Sequence, residues 1–202
     1  MFRYYLWSIA VCSGIIFGIN CLLVSPHLSL AFTALTVVGA FLIDAVVALF
    51  VRYAIPKKYY SPFRKRFACA RWEKKLYMRL GIRKWKDKIP ETGGLLVGFS
   101  KTRVLDMHNN EYILKFMSET CYAEVMHVWS AFLGFSVLFL VPSHLRLTLA
   151  LPVATVNAVL QILPVFVQRF IRPQLLRVYE SNAKRLEKAT ANTSPQCGNE
   201  NN

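Results

Sequence analysis

Four apolar stretches decide what this chain can fold into: residues 5–24, 28–51, 122–141 and 147–167. The first carries no charge and the second only Asp44. The third holds Glu124 and His127 near its start, and the fourth holds Asn157, Gln161 and two prolines. A hydrocarbon core of ~30 Å needs about 20 helical residues, so each stretch is long enough to cross it. Buried core helices of a soluble protein are the alternative, but four of them in 202 residues leave too little polar chain to cover them. Only 18% of residues are charged and 54% are hydrophobic, against roughly 25% charged in an ordinary soluble domain. That balance excludes a disordered chain, a secreted disulfide scaffold and a soluble enzyme. The first stretch reads as a retained helix rather than a signal peptide. Its apolar part is too long, no small-x-small cleavage site follows, and a second stretch comes almost at once.

Charge sets the expected orientation. Lys and Arg number 25 against 11 Asp and Glu, a net +14. Between Arg52 and Lys88 lie 14 of the basic residues and two acids, Glu73 and Asp87. Basic connections stay on the cytoplasmic side, so both termini and the loop 52–121 are expected there, and the short turns at 25–27 and 143–146 outside. The expected fold is an all-α integral membrane bundle of about four transmembrane helices. A basic cytoplasmic loop carries an interfacial amphipathic helix over Pro62 to Gly81. The membrane domain covers 1–189, and a tail rich in Asn, Ser and Thr, 190–202, is expected to be disordered.

The loop interleaves Tyr59, Tyr60, Phe63, Phe67, Trp72, Tyr77 and Trp85 with cations. Such a strip suits anionic lipid headgroups, at about 1 kcal/mol per basic residue near the surface. A single nucleic-acid strand is the rival partner, and the flanking apolar stretches argue for lipid and against nucleic acid. Residues 90–98 read as turn-rich, and 111–126 as a helix running into the third span. The five cysteines, at 12, 21, 69, 121 and 197, form no C-x-x-C pair, so neither zinc nor redox chemistry is expected of them.

Three clusters remain as candidates for chemistry. Glu124 and His127 are three apart, one turn along one face of a helix, and ionisable groups inside a span point to function. Glu124 orienting His127 as a general base is one reading, and a hydrogen bond that merely satisfies both is the other. The Glu-x-x-His spacing also occurs in carboxylate-bridged metal bundles, but those need a second copy, and no metal is expected. The second cluster is Gln168, Arg169 and Arg172, placed at the level of Glu124 and His127 beyond Pro164, which is expected to kink the helix. An arginine fork suits phosphate or carboxylate. The alternative is an ordinary basic end to a span, the reading taken for Arg177. The third is Arg83, Lys84, Trp85, Lys86 and Lys88, a basic-aromatic strip ahead of a turn. Asp44 is assigned no role.

The Arg-Lys-Trp-Lys-Asp-Lys-Ile run at 83–89, Glu119-Thr120, Ala123-Glu-x-x-His127, and Pro164-x-x-x-Gln-Arg-Phe-x-Arg-Pro173 occur in an order that resembles the glycosyl-4,4'-diaponeurosporenoate acyltransferase family. The resemblance covers about 79–178. Phe170 stands where Tyr is usual and Gln174 where Arg is usual. It implies transfer of a fatty acyl chain onto a sugar hydroxyl of a glycosylated carotenoid acid, at the cytoplasmic face of the cell membrane, in carotenoid biosynthesis. His127 with Glu124 would then be catalytic. Arg83, Lys84, Trp85, Lys86, Lys88, Glu119, Gln168, Arg169 and Arg172 would bind substrate. No cofactor is expected beyond a fatty acyl donor, with acyl-CoA as co-substrate. Two alternatives stand beside it: acylation of another membrane glycolipid, or a non-enzymatic lipid-binding or scaffold protein.

Overall fold

The computed structural model describes residues 2–86 and 108–193, and all regular structure among them is helical. α1 (Phe2–Asn20) and α2 (Pro26–Ala54) form an antiparallel hairpin. Pro26 opens α2 at a position where its missing N–H costs nothing. α3 (Arg71–Arg79) and α4 (Ile82–Trp85) are short. α5 (Asn110–Leu133) tightens into a 3-10 turn at Gly134–Leu140. A 3-10 turn at Ser143–Leu145 and a π turn at Arg146–Ala150 lead into α6 (Leu151–Thr193). The side chain of Asn109 caps α5, accepting from the backbone N–H groups of Glu111 and Tyr112 at 3.0 and 3.1 Å.

The helices are inverted relative to a soluble bundle. α2 buries Ser29, Thr33, Thr36, Ala40, Val47 and Val51 on one stripe, and turns Leu42, Val46, Leu49 and Phe50 outward, each about 60% exposed. Small residues inside and large apolar ones outside is the pattern of helices packed in lipid. Hydrogen bonds lock the end of the bundle that holds the short turns. The Asn20 amide donates to the carbonyls of Ile16 and Thr148 at 2.8 and 2.9 Å, and the Thr148 hydroxyl returns a bond to Asn20 at 2.9 Å. Ser29 ties α2 to the Phe17 carbonyl at 2.9 Å.

Among the described residues three helices are long and apolar enough to cross a membrane: Pro26–Ala54, Asn110–Leu140 and Ser143–Lys188. The first apolar stretch lies largely in α1, whose last residue, Asn20, bonds the Thr148 carbonyl just before the chain turns at 21–24. The helix expected over 111–126 is α5, and it does run into the third span. The fourth stretch belongs to a much longer helix that passes both Pro164 and Pro173 without a break. Such prolines are tolerated inside apolar bundles, where neighbouring groups satisfy the freed backbone. Residues 190–193, expected to be disordered, continue α6, and 194–202 lie outside the described residues, as do 90–98.

The amphipathic helix expected over 62–81 is also shorter than the pattern suggested. Residues 57–60 and 65–67 are isolated 3-10 turns, and the α-helix begins only at Arg71. The reason is chemical. The carbonyls of Arg66, Phe67 and Ala68, which a continuous helix would bond internally, accept instead from arginines on α6. Tyr60 and Phe67 tuck under α2 and α5 with Val47, Val51 and Cys121, and the Tyr60 hydroxyl donates to the Val51 carbonyl at 2.6 Å. Gly81, at φ 63°, takes the left-handed turn between α3 and α4, which a side chain would strain.

Candidate functional site

The polar residues inside the bundle fall into two layers. The first lies where the 66–73 segment meets α5 and α6. The Arg169 guanidinium donates five hydrogen bonds, one for each of its N–H groups. Two go to the Glu73 carboxylate at 2.8 and 2.9 Å, one to Glu124 Oε1 at 2.6 Å, and two to the carbonyls of Arg66 and Ala68 at 3.2 and 3.0 Å. Arg172, only 3% exposed, donates to the Phe67 carbonyl at 2.7 Å and to Thr120 Oγ1 at 3.1 Å. Its Nη2 stands 2.7 Å from Glu124 Oε2, too oblique for a hydrogen bond, so those two atoms pair by charge alone. Two arginines and two carboxylates make the layer electrically neutral. Gln168 is buried beside it, and among the described residues its Oε1 has no hydrogen-bond partner.

The Glu73 carboxyl is pushed up by burial, but the hydrogen bonds and charge of Arg169 outweigh this and hold it below the usual carboxylate range. The sign of the pH effect follows. The Glu73–Arg169 contact contributes fully above the unfolded glutamate pKa of roughly 4.3 and is lost as pH falls through the lowered folded value. Acidification from pH 7 to about 3 is therefore expected to release the 57–79 segment. Limited proteolysis in detergent measures this. Glu73→Gln should raise cleavage about ten-fold at pH 7, since a charged hydrogen bond is worth ~1.5–3 kcal/mol. Burial pushes the neighbouring Tyr77 phenol up to about 12, so it keeps its proton facing Glu73, 3.5 Å away.

The second layer lies deeper, where α2, α5 and α6 converge. Gln161 on α6 is seven residues before Gln168, about 10 Å along the helix. Its Oε1 is 2.6 Å from His127 Nδ1 on α5, and its Nε2 donates to Asp44 Oδ2 on α2 at 2.5 Å. Asn157, one turn earlier on α6, reaches Asp44 Oδ1 at 3.5 Å. Gly134 makes room for it: a Cβ there would sit 2.7 Å from the Asn157 amide nitrogen. Asn157 also lines an apolar cleft between α1, α2 and α6, with Ile16, Val37, Ala40 and Val153.

The structure thus separates residues that the sequence placed at one level. Glu124 goes with Arg169 and Arg172, and His127 pairs instead with Gln161. Glu119 lies on the outer side of α5 and pairs with Arg52 at 2.9 Å. Arg83 and Lys84 are exposed on α4. Trp85 packs near Tyr77, Ile82, Val167 and Phe170, its indole donating to the Leu80 carbonyl at 2.9 Å. Lys86 follows α4, and Lys88 lies outside the described residues. Sequence reasoning missed Glu73, an acid in a basic segment, and Asp44. The signal available for Asp44 was its place as the lone charge of an otherwise apolar span.

An all-helical bundle with lipid-suited outer faces and ionisable groups on its inner faces defines a protein built for a membrane. The chain belongs to the glycosyl-4,4'-diaponeurosporenoate acyltransferase family, whose model matches residues 56–181, well over half of it. The match begins before the loop motifs and takes in Glu73 as well as Glu124, His127, Gln161, Arg169 and Arg172. No curated protein and no solved structure matches the chain.

Proposed function

We propose that the protein transfers a fatty acyl chain to a sugar hydroxyl of a glycosylated carotenoid acid, as the family description implies. The family match over 56–181 carries this reading. The His127 imidazole supports it, because it offers a general base held in place by Gln161. As the sugar oxygen attacks the thioester carbon of an acyl-CoA, His127 takes the hydroxyl proton. The carbon–sulfur bond then breaks, and the proton passes to the departing thiolate. Ester and free thiol are the products, without an acyl-enzyme. The apolar cleft that Asn157 helps to line is the proposed seat of a lipid chain.

The ionic layer takes a different part from the one its arginines suggested. All five donors of Arg169 are engaged within the protein, so we assign Arg169, Arg172 and Glu124 to fixing the 57–79 segment over the site. The exposed Arg83 and Lys84, with Lys86 and Lys88, remain the proposed contacts for the donor's phosphates or for anionic headgroups. The basic segment 52–88 supports an orientation with this face, and both termini, on the cytoplasmic side.

The test is expression in membranes supplied with a glycosylated carotenoid acid and acyl-CoA, followed by mass spectrometry of the lipids. An acylated carotenoid glycoside is the expected product. Acylation of another glycolipid alone would keep the chemistry and replace the acceptor. No acylation of any lipid by inserted protein would overturn the enzymatic reading in favour of a lipid-binding or scaffold role.

A further inference from the structure

We propose that Asp44 is a positioning residue that sets the tautomer of His127 through the side-chain amide of Gln161. The inference rests on the reading of His127 as the base. A primary amide has two unlike ends, and an ionised carboxylate can only accept hydrogen bonds. Asp44 therefore takes the NH₂ end of Gln161, at 2.5 Å, and the amide is aligned in one direction. Its oxygen then faces His127 Nδ1 at 2.6 Å. That oxygen has no proton to give, so the Nδ1 atom carries one, and the lone pair of the neutral ring is on Nε2. Asn157, donating to the other oxygen of Asp44 at 3.5 Å, favours the same alignment. The three groups come from three helices and act in series: carboxylate, amide, imidazole.

The chain of contacts has a reverse setting. A protonated Asp44 would donate to the Gln161 oxygen, turn the amide round, and present its NH₂ to His127 Nδ1. The lone pair would then be on Nδ1, which is occupied by that bond, and Nε2 would hold the proton and lose its basicity. Asp44 lies outside the matched stretch 56–181, while Gln161 and His127 lie within it, so a span beyond the match completes the site.

The experiment uses full-length protein labelled with ¹⁵N-histidine in detergent micelles, the His127 signals being assigned by their loss in His127→Ala. In the unaltered protein Nδ1 is expected to give a pyrrole-type shift and Nε2 a pyridine-type shift, and the opposite assignment overturns the proposal without any variant. In Asp44→Asn either end of the new amide can face Gln161, so both tautomers should appear and turnover should fall about ten-fold or more, the direction seen when a triad carboxylate becomes an amide. The double variant Asp44→Asn with Gln161→Glu restores a one-way chain, because the carboxylate now on α6 accepts both from the amide now on α2 and from His127 Nδ1–H. It should recover the single tautomer and at least ten-fold of the lost turnover. An unchanged His127 spectrum in folded Asp44→Asn sinks the proposal whatever the activity. The base reading is judged separately: a His127→Ala protein with full turnover refutes it even where the tautomer obeys Asp44.

Discussion

Replacing His127 by alanine is expected to lower turnover about 10²–10⁴-fold, the usual contribution of a general base, while leaving a folded, inserted protein. The structural cost should be modest beside that. The ring is half-buried, and removing it takes a partner from the buried Gln161 oxygen, a loss of ~1–3 kcal/mol. The measurement is single-turnover acyl transfer in proteoliposomes, run beside thermal unfolding of the same preparation. A large loss of turnover with only a modest shift in unfolding is the expected pair of results. Full turnover would show that the proton leaves by another route. Glu124→Gln should behave in the opposite way, because its carboxylate is paired with Arg169 and Arg172. Its first effect should be on stability and on proteolysis of the 57–79 segment.

Arg169→Met is expected to cause the largest loss of stability of any single change in the chain, about 3–5 kcal/mol. One guanidinium holds two carboxylates and two carbonyls. Among the described residues its removal leaves Glu73 with no counter-charge, and Glu124 with Arg172 alone, in surroundings where an unpaired charge is costly. Arg169→Lys should rescue little, since an ammonium cannot reproduce the planar fork that grips Glu73 at two points. Coupling Arg169→Met with Glu73→Gln should recover a large part of the loss, because it removes the stranded charge and leaves the Glu124–Arg172 pair intact. Thermal unfolding of the four proteins in one detergent checks all of these. A single Arg169→Met variant as stable as the parent would refute the clamp.

The apolar stretches made the helices legible, since hydropathy reports directly on which segments suit lipid. Helix ends were less legible. α1 ends at Asn20, which bonds Thr148, a residue 128 positions away, and no local pattern carries that. Periodicity over 62–81 was misleading for a similar reason, because the carbonyls at 66–68 serve Arg169 and Arg172, about a hundred residues later. Within the site, His127, Glu124 and the two arginines stood out as ionisable groups at span edges. Their pairing did not. A three-residue spacing puts Glu124 and His127 on one face of α5, but each is claimed by a different neighbour on α6, and which one depends on helix depth and rotation. Asp44 was visible as a lone charge, yet its meaning needed the third helix.

The order in which the ionic layer is synthesised has a consequence for biogenesis. Glu124 emerges from the ribosome 45 residues before Arg169, and Asp44 emerges 117 residues before Gln161. A span entering the bilayer alone would carry its carboxylate into lipid with no partner yet made. The spans Asn110–Leu140 and Ser143–Lys188 are joined by only Val141 and Pro142, so they can enter together as a hairpin whose two halves neutralise one another. Insertion of this protein is thus expected to wait for its C-terminal half. Chains truncated before Arg169 should stall at the translocation machinery, whereas chains that extend just past Arg172 should integrate.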